Sequence, residues 1–329
     1  LSELHKFLFD GLPVRGMIVR LDGAWQEILA RRASNTHTGA YAPPVAELLG
    51  EMTAAAALMQ ANIKFNGSLI LQIFGDGPVK LAVAEAQPDL ALRATASVVG
   101  EVAADARLPD LVNMDNKGRC AITLDPRERL PGQQPYQGVV PLFGDRQEKL
   151  YRLSDVLQHY MLQSEQLDTT LVLAADAQVA AGLLIQRLPA TGEGNLAATS
   201  AQQANEDEIG RNEDYNRIAT LAASLTREEL LTLDVETILR RLFWEEKLMR
   251  FEPQTGLLGP RFACTCSRER VARMIRGLGE EEAQDILAER GTIEVGCDFC
   301  GKQYRFDAVD AAQIFTEPGD QMPGSAVVQ

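Results

Sequence analysis

Four cysteines crowded into the last fifth of a 329-residue chain constrain its fold more than any other feature. Cys264-Thr-Cys266 and Cys297-Asp-Phe-Cys300 are separated by thirty residues, and a fifth cysteine, Cys120, stands apart. Five cysteines are too few for a disulfide scaffold in a chain of this length. In a reducing compartment such a cluster points to metal binding or redox work. Soft thiolates select zinc, and four of them make the closed tetrahedral set of a structural site. The second pair has the form of a zinc knuckle, with two sulfurs from one turn and Gly301 freeing the backbone. The first pair, with one intervening residue, is tighter than the usual two to four. Cys264, Cys266, Cys297 and Cys300 are therefore the expected ligands of one zinc ion.

An energy comparison raises the possibility of a switch. A core as small as the segment 260–315 can build supplies roughly 3–5 kcal/mol. Zinc on four cysteines contributes roughly 10–16 kcal/mol at neutral pH. The metal would hold such a domain together, and the sulfurs hold the metal. Bound sulfurs stay deprotonated, which is the oxidisable form. Joining them to one another would remove the ligands, unfold the domain and withdraw support from any helix packed on it. Three rivals stand beside this. An inert zinc staple is the commoner use of four cysteines. A thiol–disulfide oxidoreductase would use Cys297 and Cys300, although they do not sit at the strand-to-helix turn of a βαβ unit. A DNA-binding finger fits poorly with 46 acidic against 32 basic residues, a net charge of −14.

Upstream of the cluster, residues 1–188 read as one mixed α/β domain. Val14 to Arg20 is strand-like and Trp25 to Arg32 helical. Pro43-Pro44 opens an alanine-rich helix from Val45 to about Ala61. Ser68 to Phe74 and Val79 to Ala84 flank the turn Gly75-Asp-Gly-Pro78 as a hairpin. Further strands are expected at Leu92–Val99, Cys120–Leu124, Tyr136–Leu142, Thr169–Ala174 and Ala180–Leu188, with a helix capped by Ser154. Strands this frequent, with few helices between them, favour an antiparallel α+β layout. Cys120 is expected to face the core as a small hydrophobe.

Residues 189–259 form an acidic, partly helical linker, with 13 acidic and 7 basic residues. Its first part, to about Asn216, is polar and poor in large apolar side chains. Ile218, Leu221, Ala222 and Leu225 then begin a helical stripe. Thr226-Arg-Glu-Glu229 has the form of a capping box. Asp234 is placed to cap a helix whose stripe is Val235, Ile238, Leu239 and Leu242, with Phe243 and Trp244 beside it. A zinc-binding domain follows over 260–315, and 316–329 reads as a disordered tail.

The cysteine segments, Cys264-Thr-Cys-Ser-Arg-Glu-Arg270 and Cys297-Asp-Phe-Cys-Gly-Lys302, resemble the redox switch of the heat-shock protein 33 family, the redox-regulated bacterial chaperones also called 33 kDa chaperonins. The likeness extends in order through Val14-Arg-Gly16, Gly75-Asp-Gly-Pro-Val79, Tyr136-Gln-Gly-Val-Val140, Ser164-Glu-Gln-Leu167, Ala181-Gly-Leu-Leu184 and Glu229-Leu-Leu-Thr-Leu233. Two features depart from the pattern: residues 190–212 are longer and more acidic than the family leads one to expect, and Cys120 matches no switch position. The resemblance implies an amino-terminal α/β domain, a helical linker and a carboxyl-terminal zinc domain. It implies a protein inactive as a chaperone when reduced and zinc-bound. Oxidation would form Cys264–Cys266 and Cys297–Cys300, expel zinc and unfold the linker. The protein would then dimerise and hold unfolding clients without ATP.

That job suits the linker's composition. Surplus charge keeps an unfolded segment soluble, while Leu, Ile, Phe and Trp offer apolar contacts to a client. Taken alone, the same stripe reads as the core face of a permanent helix. No client-contacting residue is singled out. A non-enzymatic, cytoplasmic protein is expected, with no nucleic-acid or membrane partner. Leu1 to Lys6 lack the basic-then-apolar layout of a secretion signal, and the longest apolar run, Ala54 to Met59, is too short to span a bilayer. His5, His37 and His159 lack any catalytic motif and are expected at the surface or in caps. Arg268, Arg270 and Arg273 lie near the thiolates, either offsetting their charge or as solvated helix charges.

Overall fold

Frequent short runs of β-branched and aliphatic residues, punctuated by Gly and Pro, produce two six-stranded sheets in the computed structural model, which describes residues 1–35, 37–128, 132–188 and 213–316. The expected conformations of 189–212 and 317–329 lie outside the described residues. The chain divides into two units at Ala263/Cys264.

In chain order the first unit contains β1 (Glu3–Phe9), β2 (Val14–Leu21), α1 (Gly23–Ala33), α2 (Pro43–Asn62), β3 (Gly67–Phe74), β4 (Val79–Ala86), β5 (Ala91–Val98), α3 (Leu108–Val112), β6 (Arg119–Pro126), β7 (Tyr136–Pro141), α4 (Leu153–Glu165), β8 (Thr169–Ala175) and β9 (Ala180–Arg187). A helix over 213–223, α5, follows. Then come α6 (Arg227–Thr232), α7 (Val235–Phe243), β10 (Leu248–Arg250), β11 (Gln254–Thr255) and β12 (Arg261–Phe262). One sheet runs β10-β1-β2-β9-β8, with β11 also on β1; the other runs β12-β5-β4-β3-β6-β7. All pairings are antiparallel except the short β12–β5 contact, in keeping with the α+β expectation. At the β3–β4 turn a Cβ on Gly75 would lie 2.0 Å from the Val79 carbonyl oxygen, so only glycine fits.

α2 starts at a proline pair, where missing N–H groups cost nothing. It is apolar nearly all round, as a helix packed against both sheets must be. Leu49, Met52 and Leu58 meet Leu4, Met17 and Leu184 from one sheet and Leu69, Leu71 and Leu92 from the other. Cys120 lies in this core, fully buried, where desolvation pushes its thiol up to about 12. It is an inert packing residue, as expected.

The opposite face of the first sheet carries a second core. Phe7, Phe9, Ile18, Leu183 and Ile185 pack against Ile218, Ala222 and Leu225, then Leu230 and Leu231 of α6, and Val235, Ile238, Leu239, Leu242 and Phe243 of α7. Burial of each large side chain here contributes about 1.5–3 kcal/mol gross. Thr226 and Glu229 form the expected capping box, and Asp234 accepts from the Thr237 amide at 2.9 Å. The acidic stretch 213–243 is thus docked on the sheet by its apolar stripe, with Trp244 left 74% exposed.

Two local expectations are corrected. Ser154 lies inside α4, buried, and the N-cap is Arg152 with no side-chain bond to the helix. His5 is buried on β1 between Glu3, at 2.9 Å, and Arg250, at 3.2 Å. It is neither a surface nor a capping residue, because β1 is covered on both faces. His37 is exposed, as expected. No helix among the described residues is long and apolar enough to cross a membrane.

The second unit contains α8 (Arg268–Leu278), α9 (Glu280–Arg290), β13 (Ile293–Gly296), β14 (Gln303–Phe306) and α10 (Ala308–Phe315). Among the described residues its buried core is Ile275, Ala283, Ile293, Tyr304, Phe306, Ala311 and Ile314. A core as small as these described residues form is marginal without a further tie.

Candidate metal centre

Each half of the cysteine cluster is positioned by a helix cap or a turn. Ser267 caps α8 by accepting from the Arg270 amide at 3.2 Å, so Cys264-Thr-Cys266 is the non-helical lead-in to that helix. Cys297 to Cys300 form the turn of the β13–β14 hairpin, whose register ends at Gly296 opposite Gln303. The Cys297 amide donates to the Lys302 carbonyl at 2.9 Å, and the Gly301 amide to the Cys297 carbonyl at 2.7 Å. Closing that turn needs φ +74° at Gly301, which glycine adopts without penalty.

All four sulfurs lie within 4.8 Å of one another. Cys264 Sγ is 3.6 Å from Cys297 Sγ, and Cys266 Sγ is 3.4 Å from Cys300 Sγ. A tetrahedral zinc with Zn–S near 2.3 Å separates its sulfurs by about 3.8 Å, whereas a disulfide needs about 2.05 Å. None of the four is joined in a disulfide, and together they form a ligand-like cluster. Both of these approaches join opposite halves of the cluster and so tie the helix lead-in to the hairpin. Among the described residues no other set of three or more His, Cys, Asp or Glu side chains converges in this way.

Hydrogen bonds prepare the site for negative sulfur. Backbone amides of Cys300 and Phe299 point at the Cys297 sulfur, and that of Lys302 at the Cys300 sulfur. Tyr304 Oη donates to Cys266 Sγ at 3.1 Å. Partial burial works against the Cys266 thiolate, but the bonds from Tyr304 and the other thiols prevail and bring it down to about 7. Burial pushes Cys297 and, further, Cys300 upward. The hydrogen bond to Cys266 in turn raises the Tyr304 phenol to about 12. Four bare thiolates would repel one another here, and a divalent cation supplies the opposite charge that lets all four ionise. The donor set, spacing and amide bonds fit such an ion.

Of the three arginines near the thiolates, Arg268 is committed elsewhere. It pairs with Asp310 at 2.7 Å, donates to the Arg305 carbonyl and lies over the Phe306 ring. Arg270 donates to Thr265 Oγ1 at 2.7 Å, between the two cysteines, and Arg273 is exposed. The residue missed in the sequence is Tyr304. It alternates with Phe306 in the strand leaving the knuckle, which places both rings on one face of the hairpin, and that period-2 pattern was its available signal.

A family model described as "Hsp33 protein" matches residues 2–307. The 33 kDa chaperonin of Chromobacterium violaceum is 46% identical over 314 residues, covering 95% of this chain and 94% of that protein. That of Methylobacillus flagellatus is 41% identical over 327 residues, covering 99% and 98%. The crystal structure of the 33 kDa chaperonin of Thermotoga maritima shares the fold at a TM-score of 0.68, with 20% identity, covering 95% of this chain and 97% of that one. With its cysteine cluster and a match across nearly its whole length, the chain belongs to the Hsp33 family.

Proposed function

We propose that this protein is a redox-regulated holdase chaperone. It would be inactive when reduced with one zinc ion on Cys264, Cys266, Cys297 and Cys300, and active once these sulfurs are oxidised. Chaperone function is supported by membership of the Hsp33 family. The observation carrying the switch is the convergence of four cysteine sulfurs in a unit whose buried core, among the described residues, is seven side chains. Bound there, zinc would supply charge neutralisation and a tie between the helix lead-in and the hairpin. Oxidation to Cys264–Cys266 and Cys297–Cys300 leaves no thiolate to hold an ion. Each new bond closes a loop within one half of the cluster and replaces none of the cross-ties.

The apolar stripe docked on the first sheet is the second element of the reading. Residues 189–259 would act as the linker, covered at rest and exposed to clients after oxidation. The charge surplus keeps that exposed segment soluble. The protein works in the cytoplasm without ATP or catalytic turnover, as a reduced monomer and an oxidised dimer, on partly unfolded proteins and not on nucleic acid or membranes.

The test is light scattering from a thermally unfolding client, with reduced and peroxide-treated protein side by side and released zinc followed colorimetrically. Suppression by the oxidised form alone, together with release of one zinc, is expected. Equal suppression in both states would identify a constitutive binding module. Catalytic turnover of a model disulfide would identify a thiol–disulfide oxidoreductase using Cys297 and Cys300.

A further inference from the structure

Tyr304 is 4% exposed, and its ring is held in the small core beside Ile293, Phe306 and Ile314. Its hydroxyl ends 3.1 Å from one sulfur of the cluster, that of Cys266. Lys302 Nζ sits 5.2 Å from the ring centroid, where a cation polarises the ring and strengthens the hydroxyl as a donor. A ring fixed by packing with its one polar atom on a ligand sulfur is the arrangement by which outer-shell groups tune a metal site.

We infer that Tyr304 is a positioning residue that restrains the switch: its hydroxyl holds the Cys266 sulfur in the ligand cluster and lowers that sulfur's reactivity toward hydroperoxides. This rests on the zinc–thiolate reading above and adds to it the group that sets how readily one sulfur is oxidised. In the restrained step, the Cys266 thiolate attacks one oxygen of hydrogen peroxide. An S–O bond forms, the O–O bond breaks, and the departing hydroxide takes a proton to become water. A second thiolate of the cluster then attacks the sulfenic sulfur, forming S–S and expelling another hydroxide. Two thiolates lose two electrons, and the peroxide is reduced to two waters after two protons are taken up. The phenol O–H withdraws electron density from the attacking lone pair before the first of these events, and so slows it.

Tyr304→Phe removes only the oxygen and keeps the ring that packs the core. In the full-length protein loaded with cobalt(II), the sulfur-to-metal charge-transfer band should move to longer wavelength in the variant, because an unbonded thiolate is the better electron donor. Competition with a chromogenic chelator should show zinc held about 10–100-fold more weakly. Zinc release by hydrogen peroxide should be several-fold faster, while thermal unfolding of residues 1–263 stays unchanged. A packing role alone moves neither the charge-transfer band nor the peroxide rate when the ring is retained. Identical cobalt spectra and identical release rates in the two proteins would overturn the inference and leave the zinc reading intact. A variant that takes up no cobalt would also overturn it, since all four ligands remain. Wild-type protein that binds neither metal under reductant would instead remove the reading beneath it.

Discussion

Arg20 on β2 reaches under the end of α6 and donates from Nη2 to the main-chain oxygen of Leu231 at 2.8 Å, while its Nη1 lies 3.3 Å from the oxygens of Leu230 and Leu233. One guanidinium thus satisfies three carbonyls that a helix leaves unpaired at its C-terminus, where positive charge is also favoured. At the other end of the helix, Arg227 donates to the Ala175 carbonyl at 2.6 Å and pairs with Glu47 at 3.1 Å. Replacing Arg20 by Ala leaves those carbonyls without a partner and should cost about 1.5–3 kcal/mol. Hydrogen exchange should speed up at amides 227–243 and stay unchanged in β3–β6. Arg20→Lys should recover only part of the protection, since an ammonium lacks the planar fork. Uniform loss of protection through both sheets would show that Arg20 supports the whole unit and not the docking of α6.

Much of this was legible because its causes are local. Glycine at a tight turn, Asp234 and Thr226 ahead of apolar stripes, and paired cysteines each leave a short-range signature. Ser154 misled because a hydroxyl before a helical stripe looks like a cap, whereas tertiary packing buried it one turn-start later. β1 went unread because Lys6 interrupts its alternation and because its partners on one edge, β10 and β11, are supplied from far along the chain. The four cysteines that converge could be named from spacing alone. The approaches of 264 to 297 and of 266 to 300 depend on how the lead-in and the hairpin are brought together, and so does the placement of the Tyr304 hydroxyl.

Glu51 on α2 should make stability fall with rising pH. Burial, with Glu47 adding repulsion against the weaker pull of Arg227 and Arg152, raises its carboxyl from the ordinary 4.5 to about 8. The folded state therefore binds the proton more tightly than the unfolded one. The associated stability is fully present below about 4.5 and drains away as pH rises through about 8. Glu51→Gln removes the penalty and should stabilise the protein at pH 8.5 by on the order of a few kcal/mol, at about 1.4 kcal/mol per unit. Near pH 4.5 the substitution should be close to neutral. Denaturant unfolding of both proteins at the two pH values decides it, and a gain of equal size at both would exclude ionisation as the cause.

Removing the metal should unfold the second unit and spare the first. Under reductant, a strong chelator should make residues 264–316 sensitive to a protease while 1–263 stays resistant. The second unit's small core cannot replace a tie worth roughly 10–16 kcal/mol. Cys300→Ser should give the same cleavage pattern without chelator, because it removes one of the four proposed ligands and the 3.4 Å approach to Cys266. Resistance of 264–316 after complete metal removal would mean that the apolar core alone sustains this unit.

Phe243 offers a way to uncover the stripe without touching a cysteine. Its ring meets Phe9 edge-on at 5.0 Å and Phe7 at 6.2 Å, and it is 2% exposed. Phe243→Ala empties the centre of that contact and should cost about 3–5 kcal/mol, with the loss concentrated where α7 leaves the sheet. Zinc binding should be unchanged. Under strong reductant the variant should already suppress client aggregation, because the covered surface is released by weaker packing and no longer by oxidation. The two tryptophans separate this from general unfolding: Trp244 is exposed in either case, whereas Trp25 is fully buried and donates to the Asp176 carbonyl at 2.8 Å. Trp25 emission should therefore stay at short wavelength. A variant that keeps that emission, undocks α7 by hydrogen exchange and still lets the client aggregate would show that this face is not what the client meets.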